Sequence, residues 1–149
     1  MKLNVVLITY NHTKFIQDSL RSILLQKTNF EFNILVSDDK STDDTLARIK
    51  EYEQKTSIGF RYLDAGENLG ITKNYKRAFN ACDAEYIAVM EGDDFWTDPC
   101  RLQKHVDFLD HHLECSMSFN RYIRGDIEAV NYEVFPEGDY AGNYRLFTS

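Results

Sequence analysis

Two kinds of apolar run alternate along this 149-residue chain. Short continuous runs rich in Val, Ile and Leu are followed by longer stretches whose apolar residues recur every three or four positions. Leu3 to Thr9 (LNVVLIT) predicts a strand covered on both faces, because it lacks polar alternation. Ile16, Leu20, Ile23 and Leu24 predict a helix over Thr13 to Gln26. Phe32 to Ser37 predicts a second strand. Ser41, three positions before Asp44, has the capping-box pattern of a helix running to about Lys55, with Leu46 and Ile49 as its apolar stripe. Phe60 to Leu63 predicts a short third strand. Ile71 to Cys82 predicts a helix with Tyr75, Ala78, Phe79 and Cys82 on one side. Tyr86 to Met90 predicts a fourth strand. Pro99 fits the first turn of a helix that runs to about His111, with Leu102, Val106 and Leu109 facing the core. Cys115 to Tyr122 reads as a fifth strand.

Strand and helix alternating in this way predict an α/β fold: a doubly wound, mostly parallel sheet with helices on both faces. Such sheets bind ligands beyond the carboxyl ends of their strands. The unusual polar residues fall there. The first strand ends in Thr9-Tyr10-Asn11-His12 and the second in Asp38-Asp39-Lys40-Ser41. The third leads into Gly66-Glu67-Asn68-Leu69-Gly70, and the fourth ends in Glu91-Gly92-Asp93-Asp94. Three acids crowded at one strand end repel each other and lose hydration, so a positive group is expected beside them. A divalent cation with oxygen ligands suits the place, and such a cation commonly also holds phosphates. An isolated acidic turn is more often merely solvated. Four polar strand ends converging on one edge shift the reading to a nucleotide-and-metal site.

Composition narrows the classes. A hydrophobic content of 43% supports one globular domain with a real core. A net charge of -7 argues against a nucleic-acid partner, since nothing neutralises a phosphate backbone broadly. Cys82, Cys100 and Cys115 form no CxxC pair, which predicts reduced thiols and a cytoplasmic setting. Nothing at the start has the length or cleavage signal of a secretory peptide. No apolar stretch is long enough to cross a bilayer, so membrane association is not encoded here. There is no GxxxxGK[ST] loop, no GxGxxG fingerprint and no GxSxG elbow.

Four stretches carry a resemblance: VVLITYNHTKFIQDSLRSILLQ, ILVSDDKSTDDT, ENLGITKNYKRAF and YIAVMEGDDFWTDPCRLQKHVDFL. In order and spacing they resemble the nucleotide-binding half of the family 2 glycosyltransferases, which have the GT-A fold. The resemblance covers Leu3 to about Tyr122. It implies a nucleotide-sugar-binding domain over residues 1–122, with residues 123–149 opening an acceptor-side region. It implies a nucleoside diphosphate-sugar donor, a UDP-sugar by expectation, and a Mg2+ or Mn2+ cofactor. Thr9, Tyr10 and Asn11 would line the base and ribose pocket. Asp39, with Asp38 beside it, would accept hydrogen bonds from the base or ribose. Asn68 and Gly70 would shape the loop over the nucleotide, and Lys73 would offer charge to a phosphate or the base. Asp93 would contact the ribose or the cation, and Asp94 would bind the cation. Glu91 stands where the family's acidic motif opens with aspartate. Trp96 would form a wall of the sugar pocket or else belong to the core, the commoner place for a large aromatic.

The acceptor is an unknown glycan, lipid or protein. Inversion at the sugar needs a general base, which the family carries in a later acidic motif. After Tyr122 come Asp126, Glu128, Glu133, Glu137 and Asp139 with no family pattern. Asp126 and Asp139 are the candidates of last resort, and the chain reads as a fragment that lacks the base. The parent protein is expected in the cytoplasm or at the cytoplasmic face of a membrane. Two other readings stand beside sugar transfer: a nucleotide-sugar-binding module without turnover, and a phospho-acceptor signalling domain, for which Asp93 and Asp94 have no role.

Overall fold

The computed structural model describes residues 1–120, 122–126 and 131–135. In chain order the elements are β1 (Leu3–Thr9), α1 (Ile16–Leu24), β2 (Phe32–Asp38), α2 (Thr45–Glu53), β3 (Gly59–Tyr62), α3 (Ile71–Ala81), β4 (Tyr86–Glu91), α4 (Arg101–His111), β5 (Tyr122–Asp126) and β6 (Asn131–Phe135). By internal contacts the chain divides into one unit over Met1–Gln103 and a second that begins at Lys104.

The first unit is built on a four-stranded sheet in the order β3-β2-β1-β4, parallel throughout. Every residue of β1 is buried, as its unbroken apolar run requires of a central strand. Thr9 pairs with Asp38 and Ile8 with Glu91, so these strand ends lie level along one edge. The order steps outward from β1 to β3 and then returns to β4 on the other side of β1. Right-handed crossovers therefore place α1 and α2 on one face and α3 on the other. The contacts agree: α1 packs on α2, and α3 lies against β1 and β2. On the α3 face, Ala78 is buried among Val6, Ile8 and Leu35. Val5, Leu7, Ile34 and Val36 alternate to the opposite face. They are fully buried, as are Ile16, Leu20 and Ile23 of α1 and Ile49 of α2. Burying one such side chain stabilises by about 1.5–3 kcal/mol. Ordering one residue's backbone costs about 1–2 kcal/mol, so the whole core is needed to hold the strand-end loops in place.

Several expectations need correction. Ser41 does not cap α2. Its hydroxyl donates to Asp38 Oδ2 and accepts the Asn11 N–H, and α2 begins only at Thr45. Helix α1 starts at Ile16 instead of Thr13, after a turn in which the His12 carbonyl accepts the N–H groups of both Phe15 and Ile16. Pro99 lies in a turn two residues ahead of α4. In α3 the buried residues are Asn74 and Ala78, whereas Phe79 is 43% exposed. Trp96 is only half-buried, with the Arg101 guanidinium over its ring.

In the second unit, residues 115–120 form no strand. Their polar groups turn to α4, where His105 Nδ1 pairs with Ser118 Oγ at 2.7 Å and Nε2 with Asn120 Oδ1 at 3.2 Å. The described residues end in the antiparallel hairpin β5–β6. Among the described residues no helix is long and apolar enough to cross a membrane.

Candidate functional site

Sheet order puts a switch point between β1 and β4, and the loops beyond that edge are bound to one another. Thr9 is fully buried and its hydroxyl donates to Asp38 Oδ2 at 2.8 Å. Asp38 also accepts the Ser41 N–H and hydroxyl. Its carboxylate thus closes the β2–α2 loop against the end of β1. Asp39 does the same for the next loop. Its two carboxylate oxygens accept the N–H groups of Leu69 and Gly70, each at 2.8 Å, and the Asn68 side chain donates to its carbonyl. Gly70 has φ +78° in the turn that opens α3, a conformation that L side chains rarely adopt.

The β1–α1 loop is clasped to the β2–α2 loop. Asn11 adopts φ +56°, which asparagine tolerates better than most residues. Its side-chain oxygen accepts the Thr42 N–H at 2.8 Å. The His12 N–H donates to Thr45 Oγ1 at 2.9 Å, and Asp43 accepts from the backbone of both Thr13 and Thr45. Lys40, also left-handed, donates to the Gly66 carbonyl. Tyr10 is 45% exposed beside this rim, and Lys73 is exposed on the first turn of α3.

The acidic turn after β4 is fixed from beneath. The Gly92 N–H donates to the Ile8 carbonyl at 2.8 Å. Ser19, fully buried on α1, directs its hydroxyl at the carbonyls of Gly92 and Asp94. A Cβ on Gly92 would lie 2.6 Å from His12 Nδ1 and 2.7 Å from Thr9 Cγ2, so this close approach requires glycine. Glu91 is drawn away to the α3 side, where the Tyr75 hydroxyl donates to it. Burial, then the Glu91 carboxylate, push that phenol well above its ordinary range. Asp93 and Asp94 remain exposed. Partial burial and the charges of Asp93 and Glu91 raise the Asp94 carboxyl above its ordinary value, with His12 opposing. Among the described residues no Lys or Arg forms an ion pair with Asp93 or Asp94.

Among the described residues no three His, Cys, Asp or Glu side chains converge to hold a metal by themselves. Asp93 and Asp94 instead offer two hard oxygen donors whose negative charge no described Lys or Arg offsets. That fits a Mg2+ or Mn2+ ion whose shell is completed by phosphate oxygens and water.

A polar network beneath this site joins α3 to β2. Asn74, 1% exposed, exchanges hydrogen bonds with Ser37 through both its side-chain atoms. Arg77 Nη2 donates to Asn74 Oδ1 at 2.6 Å and to the Asp38 carbonyl at 2.9 Å. The signal was available: Asn74 is a polar residue on the helical stripe that carries Ala78. Of the weak candidates for a base, Asp126 falls in β5, and Asp139 lies outside the described residues.

Residues 4–142 match the model of the family described as Glycosyl transferase family 2. An uncharacterized protein of Mycobacterium tuberculosis is 37% identical over 118 residues, 79% of this chain and 34% of that protein. The poly(ribitol-phosphate) beta-N-acetylglucosaminyltransferase TarS of Staphylococcus aureus is 30% identical over 152 residues, 99% of this chain and 26% of that one. The crystal structure of TarS 1-349 in complex with UDP-GlcNAc matches with a TM-score of 0.64 at 30% identity, over 76% of this chain and 32% of that chain. A mannosyltransferase from Pyrobaculum calidifontis, in complex with GDP-Man and Mn2+, shares the fold with a TM-score of 0.66 at 20% identity, over 72% of this chain and 32% of that one. The chain spans 34% and 26% of the two curated relatives. On the match over residues 4–142, together with the parallel sheet and its neighbours, this chain belongs to glycosyl transferase family 2 and has its GT-A-type α/β fold.

Proposed function

We propose that this chain provides the sugar-donor side of a glycosyltransferase, which moves a sugar from a nucleoside diphosphate-sugar, a UDP-sugar, to a glycan, lipid or protein acceptor with inversion. One observation carries the reading. Three loops locked to one another meet, at the switch point of the sheet, an acid pair that no described Lys or Arg neutralises. TarS, solved with UDP-GlcNAc, is the neighbour that suggests uridine.

In this reading Thr9, Tyr10 and Asn11 border the base and ribose. Asp39, oriented by the Leu69 and Gly70 N–H groups, reads the imide of the base with its remaining lone pairs. Asn68 and Gly70 set the height of the loop over the nucleotide, and Lys73 meets a phosphate. Asp94 and Asp93 hold the cation, Mg2+ or Mn2+. When bound, that ion offsets the charge developing on the departing diphosphate. This chain's own work is positional: loops fixed before the ligand arrives lower the ordering cost of binding. The three cysteines are free thiols, which suits the cytoplasmic setting proposed for it.

A second reading, binding of the nucleotide-sugar without turnover, is favoured by the acids after Tyr122, which follow no acceptor-side pattern. Loss of a general base alone typically lowers rates about a hundred- to ten-thousand-fold. A product assay against a panel of sugar acceptors, beside a donor-hydrolysis control, separates the two. Slow hydrolysis with negligible transfer is expected of this chain alone. Multiple-turnover transfer would instead assign the base to one of those acids, Asp126 or Asp139 first.

A further inference from the structure

The β1–α1 turn carries a side chain that the donor-side reading leaves unused. The His12 imidazole lies over Gly92, with Nδ1 filling the space that a Cβ there would need. Nδ1 is sealed from solvent and has no hydrogen-bond partner among the described residues. The other ring nitrogen, Nε2, faces the Asp93 carboxylate at 4.0 Å from Oδ2. The backbone of His12 is fixed on its own account: its N–H donates to Thr45 Oγ1, and its carbonyl accepts the N–H groups of Phe15 and Ile16. A ring held this way has one usable atom. The proton belongs on Nε2, because a lone pair there would face a carboxylate of like charge, whereas an N–H is attracted to it.

We propose that His12 is a positioning residue for Asp93: its Nε2–H holds that carboxylate in the orientation from which it meets the cation or the ribose. The inference rests on the donor-side reading above. Gly92 belongs to the same device, since only glycine leaves room for the ring. The 4.0 Å separation exceeds a hydrogen bond. Such contacts are often long in ligand-free sites and tighten when the ligand arrives. Groups that orient a metal's ligands typically matter by about 10- to 100-fold in affinity.

The test is calorimetric titration of UDP, with Mn2+ and metal-free, into the unaltered chain and into His12→Gln, His12→Asn and His12→Phe. Glutamine places an amide nitrogen where Nε2 stands, asparagine places one where Nδ1 stands, and phenylalanine keeps the ring without a donor. The expected result is that the ratio of Mn2+-supported to metal-free affinity falls about tenfold or more in the Phe and Asn variants and is restored in Gln. A ratio preserved in Phe would overturn the proposal, because the ring would then serve only to fill space. Loss in all three would overturn it as well, since the N–H would not be what matters. If UDP binding to the unaltered chain gained nothing from Mn2+, the donor-side reading would fall and this proposal with it. A gain that survives in His12→Phe would overturn the His12 role alone.

Discussion

Asp39 carries two duties that make different demands on one carboxylate. It accepts two backbone N–H groups at the mouth of α3, and in the proposed function it also reads the nucleotide base. The first duty fixes the geometry that the second needs, because a carboxylate pinned by two bonds does not rotate away from the base. The two duties are separable by experiment. Asp39→Ala is expected to erase the preference for UDP over GDP and CDP in competition binding, at a cost on the order of 1–3 kcal/mol. Asp94→Ala should lower affinity while keeping the ranking. An unchanged ranking in Asp39→Ala would confine that residue to the loop. The sequence made this carboxylate legible as a site candidate but not as a loop anchor, because its partners lie 30 and 31 positions away. Ser41 went astray for the opposite reason. Its capping pattern is local, and it lost to Asp38, three residues back, and to Asn11 beyond the end of β1, which both claim the hydroxyl. His12 was visible only as the last polar residue at the end of the first strand, and Ser19 gave no signal, since what matters in each is a neighbour some eighty and seventy-five positions along the chain.

The four strands of the parallel sheet were readable nearly to the residue, for β1 and β2 because a continuous run of Val, Ile and Leu has few other solutions there. The helices were readable as stripes but not at their ends. Helix α1 follows a turn closed on the His12 carbonyl instead of starting at Thr13, and α2 begins where Asp43, not Ser41, receives the chain. The expected fifth strand failed because alternation of Met117 and Phe119 with polar residues imitates a strand. Ser118 and Asn120 are instead bonded to His105, and Met117 is 58% exposed. The clasp between the first two loops yields a pH prediction. Burial acts to raise the Asp43 carboxyl, but bonds from the Thr45 hydroxyl and from the Thr45 and Thr13 N–H groups outweigh it and hold it below the ordinary value of 3.8. The folded-state value is the lower one. The stability Asp43 contributes is therefore fully present above 3.8 and is lost as pH falls through the depressed folded value. Thermal unfolding of the chain and of Asp43→Ala should show a Tm gap that is constant between about pH 7 and 5 and closes below about pH 4. A gap that persists at about pH 2.5 would mean that the charge on Asp43 does not support the clasp.

At the scale of the whole molecule, the site is a consequence of strand order. The chain walks from β1 to β3 and returns to place β4 on the other side of β1. That return brings an acidic turn, read from sequence as one motif among four, to the end of the central strand, where Ser19 and Gly92 lock it. The alternation of strands and helices made the carboxyl edge predictable as the binding edge. It did not reveal the network of Asn74, Arg77 and Ser37 that joins α3 to the floor of that edge, because such a network exists only once the sheet has assembled. In the proposed function this edge binds a nucleoside diphosphate through a cation held at Asp94. The most direct measurement is calorimetric titration of UDP into the chain and into Asp94→Asn, each with Mn2+ and metal-free. Mn2+ is expected to strengthen binding to the unaltered chain by about tenfold or more, the scale on which the groups around a metal's ligands act, and Asp94→Asn to abolish most of this gain while changing metal-free binding far less. An equal loss in both conditions, or no gain from Mn2+ in the unaltered chain, would contradict it.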